Sequence, residues 1–260
     1  MTREELQLLR NWFVGYCGSF SAPNEDDQRN FELKEAHTYR VCENMTRLAS
    51  CLTLDEGSVT LAEAIALFHD VGRFPQYKEY KTFKDSVSTN HATLGAKVLL
   101  EHQTLKRLPK IEQDLIIRCV TLHNAFAVPR GLDEDTLLFT RLIRDADKLD
   151  IWKVFLDYYA MPADQQPSAV GLGLADTPGY SPEVLACLRG GLMVQLSSLT
   201  TLNDFKLLQL SWIYDLNFSA SFAIVEERDY INRMAATLPG TEDVAAAVDA
   251  VREYVREKLR

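Results

Sequence analysis

Histidine is scarce in this chain of 260 residues, with five copies at positions 37, 69, 91, 102 and 123. His69 stands directly before Asp70, at the end of the apolar segment TLAEAIALF. Adjacent side chains on a helix point about 100° apart. One metal ion can therefore meet both only at a helix end, between them. An imidazole nitrogen beside a carboxylate oxygen suits zinc, iron, manganese or nickel, not the all-oxygen sites of calcium. The pair also has a reading without metal, as a hydrogen-bonded helix end. His37, taken alone, reads as a helix-surface histidine. Asp145 and Asp147 in RLIRDADKLD are about 200° apart on a helix, so only one of them can face a given site. His102 lies about 16 Å beyond His91 by helical rise and cannot share a site with it. No Ser/His/Asp arrangement and no reactive-cysteine setting is apparent. The five cysteines are scattered without a CxxC pair, which indicates neither a disulfide framework nor a zinc ribbon. Four of them read as small core residues.

Helical spacing dominates the segments that must carry these residues. Leu6, Leu9, Trp12 and Phe13 share one face, and the polar stretch SAPNEDDQRN follows as a loop. From Phe31 to Leu52 apolar residues recur at helical spacing. The helix leading to His69 is apolar around much of its circumference, hence buried, and Gly72 terminates it. A polar, lysine-bearing loop is expected from Pro75 to about Ser88. Helices are expected over 90–103, 110–124 and 134–160, with Pro129 and Gly131 breaking the chain between the last two. The break MPADQQPSAVGLGLADTPGYSP precedes a helical C-terminal third, over 204–234 and from Thr241 onward. Alternating strand patterns and hairpin signals are scarce. The class is all-α, a bundle of about ten helices. A core over 1–160 carries the histidines, and a helical extension over 161–260 packs on it within one continuous domain. In that extension Lys206, Trp212, Tyr214 and Asp215 are expected to cover the site.

With 47% hydrophobic and 25% charged residues the chain has ample material for a core. Its formal net charge of -9 argues against nucleic acid polymers and anionic membranes as partners, because phosphate backbones need clustered Lys and Arg. No apolar run approaches membrane-spanning length and the N-terminus lacks an apolar signal core, so a cytoplasmic location is expected. A small phosphorylated substrate needs only a local positive site, which bound ions can supply. An oligomer is compatible with the sequence.

Taken together, the motifs resemble the HD-domain superfamily of metal-dependent phosphohydrolases, whose signature is His…His-Asp…Asp on separate helices. The matching residues are His37 in KEAHTYRV, His69 and Asp70 in ALFHDVGRF, and Asp147 in RLIRDADKLD. The family's Ala-Asp-x-Leu context selects Asp147 over Asp145. NHATLGAKVLL and TLHNAF are similar to the further histidine motifs of the two-metal branch. The resemblance thus implies a second site through His91 and His123, with Asp70 bridging the two ions. The chain lacks the paired histidines and Gly-Tyr-Pro loop of the HD-GYP subfamily, having His123-Asn124 followed by AFAVPRG. The family's basic residue after the pair corresponds to Arg73.

The resemblance implies an HD-type helical core and one or two ions of Fe, Mn, Zn, Ni or Co. The expected activity is hydrolysis of a phosphoester in a small molecule, a nucleotide for preference, by metal-activated water. Asp70 and Arg73 are the catalytic candidates; Arg73, Lys84, Asn124 and Lys148 are the candidates for substrate contact. Two alternatives share the ligand pattern: a di-iron oxygenase, and a non-catalytic metal- and nucleotide-binding sensor.

Overall fold

The computed structural model describes residues 1–170 and 173–260. Gly171 and Leu172, within the expected break after residue 160, lie outside the described residues. Twelve α-helices and four short 3-10 turns account for nearly all regular structure among the described residues. The extended backbone contributes only an isolated bridge, Ala175 to Thr201. The fold is all-α. No described helix is long and apolar enough to cross a membrane.

The chain divides into two compact units, one of residues 1–150 with 163–170, the other of 151–162 with the chain beyond 170. The first begins with α1 (Arg3–Gly18), α2 (Glu25–Cys51) and α3 (Glu56–Phe68). Each starts on a side chain that accepts from an otherwise unpaired backbone N–H: Thr2 in a capping box with Glu5, then Asn24, then Asp55. Asn24 starts α2 at Glu25, so six of the ten residues expected as loop are helix. Ala62, Ile65, Ala66 and Phe68 are fully buried, as the all-round apolar character of α3 required. α2 packs along α3, and α1 and α6 (Lys110–Leu122) flank it.

The stretch after Gly72 was expected as loop from Pro75 onward, yet α4 (Arg73–Tyr80) occupies it. Pro75 falls in the first turn, where its missing N–H has no intrahelical partner to lose. Phe74 and Tyr77 are buried one turn apart, and tertiary burial overrides the polar composition. A 3-10 turn, Asp85–Val87, follows. Asn90 caps α5 (His91–Glu101), which lies against α6. The first unit also takes the opening part of α7 (Glu134–Ala160).

The second unit is built from the end of α7 and five further helices. These are α8 (Pro182–Arg189), α9 (Leu202–Ser211), α10 (Ser219–Glu227), α11 (Tyr230–Ala235) and α12 (Glu242–Leu259). The run over 204–234, expected as continuous helix, is broken by a 3-10 turn at Trp212–Asp215 and by Asp229, whose φ is +53°. Trp152, Leu188, Leu207, Leu210 and Met234 are fully buried in its core. Lys206 donates to the Thr237 carbonyl and Tyr214 to the Leu188 carbonyl. No disulfide links the cysteines; Cys17, Cys42 and Cys119 are buried, Cys187 is half-buried and Cys51 is exposed, so three rather than four are core residues.

Candidate metal centre

The His69-Asp70 pair sits at the junction of α3 and α4. His69 closes α3 with φ -53° and ψ -43°. The backbone then runs through three-residue hydrogen bonds, Val71 N–H to Phe68 O at 3.2 Å and Arg73 N–H to Asp70 O at 2.8 Å. This tightening keeps the chain turning while splaying adjacent side chains. The two therefore diverge at a helix end, as an adjacent pair must to face one ion.

Around this turn the structure assembles six side chains from five elements. On one side, His37 Nε2 lies 3.3 Å from His69 Nε2, and these nitrogens stand 3.1 and 3.6 Å from Asp147 Oδ1. Asp70 Oδ2 faces the same nitrogens at 3.6 and 3.7 Å. On the other side, His91 Nε2 and His123 Nε2 approach to 3.0 Å, and Asp70 Oδ1 lies 3.3 and 3.8 Å from them. The donor atoms form two clusters able to hold a metal ion, His37, His69 and Asp70 in one, and Asp70, His91 and His123 in the other. Asp70 belongs to both, one oxygen to each.

The other ring nitrogen of every histidine is committed. His69 Nδ1 donates to the Ala66 carbonyl at 2.6 Å, and His123 Nδ1 to the Val120 carbonyl at 2.7 Å. His37 Nδ1 bonds Asp150 Oδ2 at 2.7 Å, while Arg40 grips the same carboxylate through Nε and Nη2 at 2.6 and 3.0 Å. His91 Nδ1 bonds Asp85 at 2.7 and 2.9 Å. With the proton held on Nδ1, the Nε2 of a neutral imidazole presents a lone pair to the centre, the arrangement metal-ligating histidines adopt. Buried lone pairs 3.0–3.3 Å apart repel unless a proton or a metal ion lies between them. Four imidazoles and two carboxylates fit divalent transition metal.

Electrostatics support the same fit. Burial pushes the Asp70 carboxyl up, but its neighbours, the Lys34 ammonium first and then the His69 imidazole and the Arg73 guanidinium, hold it well below the ordinary range. Burial acts likewise on Asp147, and the neighbouring His37 and His69 imidazoles outweigh it, so that its carboxyl too lies well below the ordinary range. Burial and the nearby Arg73 charge lower His91 to about 3, leaving it neutral and able to ligate. For His37, burial acts downward, yet the hydrogen bonds to Asp147 and Asp150 raise it to about 9. Without metal, a proton on His37 thus supplies the positive charge that its cluster requires.

Two backbone features seat the second cluster. A Cβ on Gly72 would come within 2.1 Å of the His91 carbonyl oxygen and 2.5 Å of the Gly95 nitrogen. α5 can approach the turn closely enough to bring His91 to Asp70 only because both positions lack a side chain. Arg144, from α7, donates to the carbonyls of His123 and Ala125 and anchors the end of α6.

The four His side chains and Asp70 are 0–4% exposed, whereas Lys34, Arg73 and Asp147 are 15–17% exposed, so the centre opens on their side. Arg73 Nη1 donates to Gln76 Oε1, the Phe83 carbonyl and Asp85 Oδ1 at 2.8, 2.5 and 2.9 Å. Its Nε stands 3.4 Å from Asp70 Oδ1. Asn124 donates to Asp85 Oδ2 at 3.2 Å, Lys148 lies 3.4 Å from the Arg144 carbonyl, and Lys84 is exposed on the loop after α4. His102 stands apart, against Trp12 and Tyr16.

Sequence reasoning missed Asp85 and Lys34 and gave Asp150 no role. Lys34 precedes His37 by one helical turn, a spacing that could have flagged it. Asp85 sits in an irregular loop and left no periodic signal. The family model of the HD domain matches residues 35–152, a span containing all six side chains. No curated protein and no solved structure matches the chain.

Proposed function

From the HD domain that this chain carries across residues 35–152, we propose that it hydrolyses a phosphoester of a small molecule, a nucleotide for preference, at a two-metal centre. The observation that carries this reading is the division of Asp70, one oxygen toward each pair of imidazoles. A carboxylate so placed can bridge two ions, and paired ions suit displacement at phosphorus.

When bound, divalent ions supply Lewis acidity toward a phosphoryl oxygen and lower the pKa of water toward about 7. The chain supplies everything else. His37, His69 and Asp147 would hold the first ion and His91 and His123 the second, with Asp70 shared. Asp150, Asp85 and the carbonyls of Ala66 and Val120 keep each histidine in the tautomer and orientation that ligation needs. Burial of the donor atoms excludes competing water from all but the open side, where a phosphoryl group would enter. Arg73, whose Nε stands 3.4 Å from Asp70, and Lys148, the neighbour of Asp147 in the chain, would add positive charge that favours the charge developed in phosphoryl transfer. Asn124, bonded to Asp85, and Lys84, exposed on the loop after α4, are the further candidates for substrate contact. A protein nucleophile is not required.

The test is elemental analysis of tag-free protein, followed by turnover of phosphomonoesters, phosphodiesters and a nucleotide panel with Mn²⁺, Fe²⁺, Co²⁺ or Zn²⁺ supplied. Two ions per chain, falling to one in His91→Ala, with phosphate ester cleavage lost in Asp70→Ala, would support the proposal. Turnover that consumes oxygen and needs iron would replace hydrolysis with oxygenation. Tight nucleotide binding without product would point to a sensor.

A further inference from the structure

We propose that Lys34 is the cation that contacts the phosphate of the substrate, an assignment that rests on the phosphohydrolase reading above. Lys34 lies on α2, one turn before His37, so both project from the same helical face. Its ammonium donates to Asp70 Oδ2 at 2.8 Å, the oxygen that faces His37 and His69. The ring of Phe83, 5.0 Å from Nζ, holds the ammonium at the mouth of the centre.

The rival cations are differently engaged. Arg73 spends Nη1 on Gln76, the Phe83 carbonyl and Asp85, and this network maintains the loop that presents Asp85 to His91. Turning Arg73 toward a ligand would dismantle the support of its own metal site. Lys81 pairs with Asp27 at 2.7 Å, and Lys78 lies over the Phe20 ring. Lys84 is exposed on the loop.

Lys34 has one described hydrogen bond and two further N–H donors to offer. Among the described residues its one anionic partner is Asp70 Oδ2, itself a proposed metal ligand. A carboxylate oxygen that ligates a divalent cation has less charge to offer an ammonium. Metal loading thus weakens the Lys34–Asp70 pair while leaving the ammonium, 16% exposed, where the centre opens. An incoming phosphate oxygen is the natural replacement partner, through a short charge-assisted hydrogen bond. In the metal-free chain Lys34 pairs with Asp70, and in the loaded chain it serves the substrate.

The experiment uses the full chain loaded with Mn²⁺, with inorganic phosphate as the probe in isothermal titration calorimetry and elemental analysis in parallel. Lys34→Gln should retain the wild-type metal content and bind phosphate at least about tenfold more weakly, the scale of a lost charge-assisted bond. Lys34→Arg should restore most of that affinity. Equal phosphate affinity in wild type and Lys34→Gln would overturn the assignment alone. Loss of metal from Lys34→Gln would also overturn it, making the residue a support for Asp70. If the metal-loaded wild type binds no phosphate, the phosphohydrolase reading falls and the Lys34 assignment falls with it.

Discussion

If the centre holds two ions as proposed, replacing Asp85 by Asn should selectively weaken one of them. Every group around this carboxylate is a donor: His91 Nδ1, Arg73 Nη1 and Gln76 Nε2 at Oδ1, and His91 Nδ1 with Asn124 Nδ2 at Oδ2. An amide would have to turn its NH2 toward one of these sets. At Oδ2 it would meet the His91 N–H, and the imidazole would escape the clash by moving its proton from Nδ1 to Nε2. That tautomer has no lone pair for metal. Changes to such supporting carboxylates cost about 10–100-fold in metal affinity, or about 1.4–2.7 kcal/mol. An ion at His37, His69 and Asp147 would have its own support in Asp150 and should be little affected. Mn²⁺ titration followed by calorimetry or electron paramagnetic resonance should resolve one wild-type and one weakened step. Two steps of wild-type affinity would refute the reasoning about tautomers, and equal weakening of both would refute the independence of the clusters.

Gly72→Ala should drive α5 away from the HD turn, because its Cβ would meet backbone at 2.1 Å; elemental analysis should show one ion lost, and full occupancy would contradict this. In chelator-treated protein His37 titrates near 9, raised above an unfolded value of about 6.5. A raised pKa stabilises the fold fully below about 6.5 and ceases to do so as the pH rises through 9, so the melting temperature of the metal-free chain should fall across that window. A flat profile from pH 6 to 9 would exclude a protonated His37. In the second unit, buried Asp204 accepts from both Ser181 donors, both Thr200 donors and the Thr201 N–H. Asp204→Ala should cost about 1–3 kcal/mol in denaturant unfolding, since several half-buried donors lose a charged acceptor; a change under about 0.5 kcal/mol would show that water replaces it.

Much of the fold was legible because helical periodicity is a local property. The expected spans over 90–103, 110–124 and 134–160 fall within two residues of α5, α6 and α7, and Thr241 caps the last helix where the pattern resumes. α4 was not legible: Pro75 and the lysines argue for loop, and only the burial of Phe74 and Tyr77 against other helices favours a helix there.

The sequence by itself determined which side chains could be ligands, since histidine is scarce and His69-Asp70 is a local pair. It also carried the order of motifs that picks out His37, His91, His123 and Asp147. Tertiary structure alone decided which oxygen of Asp70 faces which cluster, and that Asp85 and Asp150 orient the histidines. It also tied Arg73 to the loop through Gln76, the Phe83 carbonyl and Asp85, and left Lys34 beside Asp70 at the opening. Those are matters of approach between segments up to 113 positions apart, as between His37 and Asp150. Hydrogen-bond direction and close backbone contact, such as that of Gly72 with α5, depend on distances of a few tenths of an ångström between segments. Residue type and spacing along one segment do not encode such distances.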